Sequence, residues 1–229
     1  MKLIVPAAFL ALFTAAPAAA QIPGTGLSVD ADVNLLSDYR FRGISRSGED
    51  PALQGSLTVS TNGGFYAGVQ GTTLNDVEDY DNLELDLYGG YSTQLGLGAS
   101  VDAGMLYYAF PGSDGDKDYF EPYASLSYQL GPVEATAGAK YAWSQKAIGD
   151  EDMLYLFAGL EAGIPLTGVT LTAQAGRQDW GDFGSYWNWS LGARSKFGPV
   201  NAGIKYVDTD LPAIKGQDAG VVLSVGLSF

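Results

Sequence analysis

The stretch Val133-Glu134-Ala135-Thr136-Ala137-Gly138-Ala139-Lys140-Tyr141-Ala142-Trp143 alternates from end to end. Val133, Ala135, Ala137, Ala139, Tyr141 and Trp143 fall on one parity, while Glu134, Thr136 and Lys140 fall on the other. A period of two puts successive side chains on opposite faces, so this run reads as a strand with one apolar and one polar face. The same rhythm recurs along the chain. Val29, Ala31, Val33 and Leu35 enclose Asp30, Asp32 and Asn34, and Leu53, Leu57 and Val59 alternate with Gln54, Ser56 and Thr58. Leu83, Leu85 and Leu87 alternate with Glu84, Asp86 and Tyr88, and Val101, Ala103, Met105 and Tyr107 enclose Asp102 and Gly104.

Marking every such run predicts twelve strands, over 28–42, 51–60, 64–74, 82–94, 97–110, 118–129, 132–145, 152–163, 168–179, 185–197, 199–208 and 218–229. Five short glycine-bearing turns alternate with six longer polar loops around 43–50, 75–81, 111–117, 146–151, 180–184 and 209–217. That rhythm is what an up-and-down antiparallel barrel with both termini on one side requires. No proline-rich linker divides the chain and no helical period emerges. Residues 21–229 therefore read as one barrel domain, preceded by a segment of another kind. Residues 1–20 carry one charge, Lys2, then an apolar run from Leu3 to Phe13, then Ala18-Ala19-Ala20. This is the pattern of a cleaved secretory signal peptide.

Composition removes much chemistry. The 229 residues include no cysteine and no histidine, which excludes disulfides, thiolate metal sites and the usual general base near neutral pH. A net charge of −14 argues against nucleic acid, which needs a basic face. Hydrophobic residues at 46% are too many for a disordered chain, and they are too dispersed for transmembrane helices. No cofactor is implied.

The remaining choice lies between a soluble barrel, apolar inside, and an outer-membrane barrel, which is polar inside. Trp187, Trp189, Leu191, Ala193 and Phe197 share one face of the tenth strand. From Trp187 to Phe197 is about 33 Å of strand, or about 25 Å along the axis at a tilt near 40°, the height of an outer-membrane apolar band. Tyr39, Phe41, Tyr107, Phe120, Tyr141, Trp143 and Tyr206 are candidates for the loop-side aromatic belt, and Phe65, Tyr91, Tyr128 and Phe229 for the turn-side belt. The expected fold is an all-β transmembrane barrel with periplasmic termini. A strand ending in Phe229 resembles the signal read by the barrel-assembly machinery of bacterial outer membranes.

Asn34-Leu35-Leu36-Ser37-Asp38-Tyr39-Arg40-Phe41-Arg42-Gly43-Ile44-Ser45, followed by Pro51-Ala52-Leu53-Gln54-Gly55 and Gly64-Phe65-Tyr66-Ala67-Gly68, resembles the opening of the TorF-type porins. These form a Gram-negative outer-membrane family. The resemblance implies a location and a fold more firmly than a substrate, and it brings no catalytic residues.

Parity then assigns the lumen. Glu84, Asp86 and Asp102 fall on the fourth and fifth strands, and Arg194, Lys196 and Lys205 on the tenth and eleventh, across the bore. Arg40, Arg42 and Lys140 add positive charge toward the loops. Opposed charge would set up a transverse field, and the alternative is that these groups pair with neighbours to satisfy a polar interior. Twelve strands are intermediate between a filled barrel of eight and an open channel of sixteen to eighteen, so small polar solutes or ions are the expected cargo. Asp76, Glu78, Asp79, Asp81, Asp114, Asp116, Asp118, Asp150, Glu151 and Asp152 form an acidic outer mouth. Asp114-Gly115-Asp116-Lys117-Asp118 resembles half of a calcium loop but has Tyr119 in place of the turn glycine and Ser125 in place of the bidentate acid, so no metal is assigned.

The expected function is a porin-like channel among outer-membrane lipid and lipopolysaccharide, monomeric because closure removes the sheet edges. Two rivals differ in class. An enzyme on the barrel rim lacks the histidine that commonly activates serine or water. A closed structural or receptor barrel would bind a partner through its acidic loops. The loops are too short for an inserted plug, so closure would require one of them to fold inward.

Overall fold

In a computed structural model of the chain, residues 20–22, 24–75 and 81–229 are described. The expected signal segment, except Ala20, lies outside them, as do Asp76, Glu78 and Asp79 of the expected mouth. The elements in order are β1 (Ala20–Ile22), β2 (Leu27–Leu36), β3 (Arg40–Phe41), β4 (Ile44–Ser45), β5 (Ala52–Thr61), β6 (Phe65–Thr73), β7 (Leu83–Gly96) and β8 (Ala99–Ala109). They continue with β9 (Tyr119–Leu130), β10 (Val133–Ala142), β11 (Met153–Ile164), β12 (Val169–Asp179), β13 (Ser185–Phe197), β14 (Val200–Thr209) and β15 (Gly220–Ser228).

Strands β5 to β15 pair antiparallel in sequence order, and β2 closes the ring by pairing with both β15 and β5. The result is a closed twelve-stranded barrel, with β1 added to the lower end of β2 below the reach of β15. Eleven of the expected strands lie within three residues of their observed ends. The first does not. It was expected to run to 42 and stops at Leu36.

Parity sorts the side chains as alternation requires. Leu35, Leu57, Leu87, Leu126, Leu156, Leu191, Leu223 and their neighbours are exposed on the outer face, whereas Glu84, Asp86, Glu121, Gln54 and Gln70 are buried inside. The barrel is thus apolar outside and polar inside. Near the loops Tyr107 packs on Phe120 at 4.5 Å between centroids, and Phe120 stacks on Trp143 at 6.2 Å, a belt across three strands. Tyr141, Trp187, Trp189 and Tyr206 are exposed on the outer face toward the loop ends of their strands. At the turn end Phe65 packs on Tyr91 at 4.9 Å, and Tyr128, Phe197 and Phe229 are also exposed.

The inner wall on β5 to β9 uses glycines as seats for tyrosines from the neighbouring strand. Tyr88 crosses Gly68 to reach Thr58, their hydroxyls 2.7 Å apart. Tyr66 crosses Gly90 and donates to Asp102 Oδ1 at 2.7 Å, and Tyr123 crosses Gly104 to meet the Tyr66 hydroxyl. A Cβ on Gly90 would stand 2.6 Å from the Tyr66 hydroxyl, and one on Gly104 2.6 Å from that of Tyr123. Both would also stand against backbone carbonyls, which cannot retreat. Gly104→Val is therefore expected to cost about 1–3 kcal/mol, read as a smaller folded, heat-modifiable fraction on refolding. Gly163→Val, with open space around its Cβ, is the control that leaves that fraction unchanged.

Candidate functional site: a hairpin folded into the lumen

The ladder between β2 and β15 runs one residue past Leu36, with Ser37 N donating to Leu223 O at 2.9 Å, and then the chain turns inward. Asp38 organises the turn: Oδ2 accepts from Arg40 Nε at 2.6 Å and Oδ1 from Ser45 Oγ at 2.6 Å. Tyr39 N donates to Ser47 Oγ at 2.8 Å and Arg46 N to Tyr39 O at 2.7 Å, closing the base of a hairpin. β3 and β4 pair through Arg40↔Ser45 and Phe41↔Ile44, joined by Arg42 and Gly43 with φ of 50° and 92°. Two positive-φ residues make the tight turn that suits a two-residue hairpin. The tip packs against β13 and β14, three and two places round the ring from β2, where a Cβ on Gly43 would stand 2.5 Å from Thr209 Cγ2 and 2.9 Å from Asn188 Cβ.

Two expected belt residues are corrected here. Tyr39 and Phe41 have the parity of the outer face, but neither meets lipid. Tyr39 is buried and donates to Glu84 Oε1 at 2.6 Å, and Phe41 packs edge-on against Tyr108 at 5.7 Å. Burial, with Glu84 and Asp86 beside it, pushes the Tyr39 phenol well above its ordinary range, so it stays a donor. The physical reason is that Asp38 and Gly43 offer the backbone a turn, and the arginines between them find carboxylates inside the barrel. An extended continuation would leave those guanidiniums pointing into the bore at single sites on the wall.

The arginines hold the hairpin across the lumen. Arg42 Nη2 donates to both carboxylate oxygens of Glu121 of β9 at 2.6 Å, its Nη1 donates to Gln178 of β12, and the guanidinium lies 4.4 Å over the Tyr155 ring of β11. Burial alone disfavours charge on Arg42, and Glu121 more than offsets it, raising the guanidinium further. Arg46 pairs with Glu84 of β7 and lies 3.7 Å over the Phe41 ring. Arg40 binds Asp38 and lies 3.5 Å from Glu49, whose Oε1 accepts from Gly216 N at 2.9 Å. Against the hairpin lies a cavity of about 50 Å³ lined by Arg40, Arg42, Gln54, Gln70, Asp86 and Lys140 among others. That is room for a few waters rather than a solute.

The nine expected lumen residues divide by their surroundings. Glu84, Asp86 and Lys140 are buried around the hairpin, and Arg40 and Arg42 belong to the hairpin rather than to a wall strand. Lys205 borders the same cavity. Asp102, Arg194 and Lys196 lie nearer the short turns. The opposed-wall arrangement is replaced by local pairing: Arg194 bonds Glu161 two strands away at 2.5 Å, and the acidic wall meets the hairpin arginines instead. Buried charges pair with the nearest geometry that satisfies their hydrogen bonds, not with the far wall. Glu121, Arg46 and Asp38 were not singled out by sequence. Glu121 shares inward parity with Tyr119 and Tyr123 and was legible on that ground; Arg46 sits in a loop, where parity has no meaning.

Mouth acids within the described residues serve their own loops. Asp118 accepts from Phe110 N at 2.9 Å and the Tyr107 hydroxyl at 2.7 Å, and Asp152 accepts from Ser144 N at 2.7 Å. Asp81 Oδ1 accepts from Asn82 N at 2.8 Å, while Asp116 reaches Lys146 at 3.6 Å across two loops. Asp114, Asp150 and Glu151 lie on the same rim. No group of three acids among the described residues is arranged to hold a metal.

A closed twelve-stranded antiparallel barrel with this inside-out polarity is the architecture of outer-membrane β-barrels. Its solved likenesses include the NanC porin, at TM-score 0.60 and 15% identity over 88% of this chain and 98% of that one. They also include the KdgM porin, at TM-score 0.61 and 7% identity over 88% and 97%. At such identities the likeness is one of fold. The chain belongs to the family described as a bacterial protein of unknown function (Gcw_chp), whose model matches residues 20–223. No curated protein sequence matches it.

Proposed function

We propose that this chain is a porin-like outer-membrane channel for small polar solutes or ions, closed by its first long loop in the conformation described. The supporting observation is the kind of closure. The hairpin of β3 and β4 forms no strand ladder with the wall: Ser45 N donates to Gly216 O of the last outer loop at 2.7 Å, and side-chain bonds to Glu84, Glu121 and Gln178 hold it to the wall strands. Such a segment can leave the bore while every wall strand keeps its backbone bonds. The resemblance of residues 34–45 to the TorF-type porins and the fold shared with NanC and KdgM point the same way. In this reading residues 1–20 are removed on export, the termini are periplasmic, the last strand is read by the assembly machinery, and the barrel is a monomer in lipid and lipopolysaccharide. One KdgM structure is described in complex with disordered oligogalacturonate, but a 50 Å³ cavity gives no ground for carrying that cargo here.

The occlusion itself favours a second reading, a permanently closed structural or receptor barrel that meets its partner through the outer loops. Planar-bilayer recording of the refolded chain from Gln21 under a salt gradient separates the two. A channel gives brief openings with a reversal potential favouring cations, because the acidic rim concentrates them. A barrel silent both as wild type and after removal of the hairpin is a receptor or a strut.

A further inference from the structure

Of the three hairpin arginines, Arg42 rests on a seat that the wall builds. Its guanidinium meets Glu121 of β9 through Nη2, Gln178 of β12 through Nη1, and the face of the Tyr155 ring of β11 at 4.4 Å. The other two are held differently. Arg40 pairs with Asp38 and Glu49, both on its own loop. Arg46 has Glu84 of the wall but takes its ring contact at 3.7 Å from Phe41 of the same hairpin. Phe41 also lies 4.7 Å from Arg42 and would leave with the hairpin, whereas Glu121, Gln178 and Tyr155 belong to wall strands and stay.

Each of those three is oriented by bonds in which the hairpin takes no part. Tyr108 of β8 donates to Glu121 Oε2 at 3.1 Å. Gln178 Nε2 donates to Leu154 O at 3.4 Å and to Asp179 O at 3.0 Å, which leaves its Oε1 for Arg42. The Tyr155 hydroxyl donates to Asn188 Oδ1 at 3.1 Å and accepts from Gln174 Nε2 at 3.3 Å, so the ring is held from its polar end. A carboxylate, an amide oxygen and an aromatic face in fixed positions suit a planar cation with donors along its edges and a face for stacking. Lys140 of β10 borders the same cavity, but its ammonium is a point charge without that plane.

We propose that Glu121, Gln178 and Tyr155 form a guanidinium-binding site of the barrel wall, which Arg42 fills from within the chain while the hairpin is seated. The consequence rests on the channel reading: the cargo is a guanidinium-bearing cation of the arginine class, and it reaches this site once the hairpin has left. Cargo and Arg42 compete for one seat, so abundant cargo holds the channel open. The charge is also the one that an acidic rim attracts.

Titration calorimetry in detergent at fixed ionic strength, on the refolded barrel with residues 39–47 replaced by two glycines, measures the seat without requiring conduction. Arginine should bind about tenfold or more tightly than lysine, which has the charge without the plane. Glu121→Gln and Gln178→Leu should each weaken arginine by about tenfold or more, because each removes an acceptor for a charged donor. Glu161→Gln, which breaks the Arg194 pair nearer the turns, should leave it unchanged. The intact chain should bind arginine more weakly than the barrel without the hairpin, since Arg42 already occupies the seat. If the shortened barrel does not refold, Arg42→Ala in the full chain empties the seat, with ethylguanidinium compared against ethylammonium. Equal affinity for the guanidinium and the ammonium probe overturns the proposal, as does arginine binding that survives Glu121→Gln. A shortened barrel that binds arginine selectively yet passes no current in a planar bilayer removes the channel reading and the cargo with it, and leaves the site standing.

Discussion

Deleting residues 39–47 and bridging Asp38 to Gly48 with two glycines is expected to turn an intermittently conducting barrel into a steadily open one. The two ends are already adjacent, since Tyr39 N and Arg46 N both bond across the base of the hairpin, so the wall need not move. The deletion removes Arg40, Arg42 and Arg46 together. Glu84, Asp86 and Glu121 then face water with Lys140 and Lys205 as wall cations bordering the same cavity, beneath a rim of further acids. Time-averaged current in a planar bilayer should rise at least tenfold, with a reversal potential showing stronger cation preference than the wild type. An unchanged, silent barrel would mean that Tyr108, Tyr155 and their neighbours close the bore themselves, and the channel reading would fall.

The barrel was legible in the sequence because its determinant is local. Alternation at Val133–Trp143 or Leu83–Tyr88 states which face each side chain takes, and in a closed antiparallel ring the neighbour of each strand is the next one in sequence. The hairpin was not legible for the same reason. Tyr39-Arg40-Phe41-Arg42 alternates as cleanly as any strand, so periodicity extended β2 through it. What decides its course is non-local: Glu121 and Glu84, far along the chain, offer carboxylates that only the closed barrel brings within reach. The Arg42-Gly43 pair was the one local sign, since a glycine after a polar residue suits a two-residue turn. For the charges of the lumen, alternation assigned a face but left open whether they pair across the bore or with neighbours, because parity gives a direction but no distance. Tyr66, Tyr88 and Tyr123 illustrate the limit well. Their inward parity was plain, yet each crosses a glycine on the adjacent strand, a relation that needs the register between strands.

Replacing Glu84 and Glu121 by Gln together should free the hairpin without unfolding the barrel. Each substitution leaves a buried guanidinium without its carboxylate, a loss of about 3–5 kcal/mol for a buried pair. The wall strands keep their ladders, so the cheaper response is for the hairpin to swing out and hydrate Arg42 and Arg46. Trypsin reports this directly, because Arg40, Arg42 and Arg46 are inaccessible while the hairpin is seated and become cleavable when it leaves. Where opening is fast relative to cutting, cleavage follows the open population, and about 3 kcal/mol corresponds to a rise of about 100-fold. The barrel's heat-modifiable migration should be retained. Glu161→Gln breaks the Arg194 pair on the wall itself and should leave hairpin cleavage at the wild-type rate. If the double variant resists trypsin as well as the wild type does, the packing of Tyr39 and Phe41 against Tyr108 holds the hairpin instead. Phe41→Ala would then be the substitution that releases it, and the seat would be apolar rather than ionic. A hairpin held by ion pairs should also open with rising salt, where one held by apolar packing should tighten, so the two holds differ in sign as well as in the residue that breaks them.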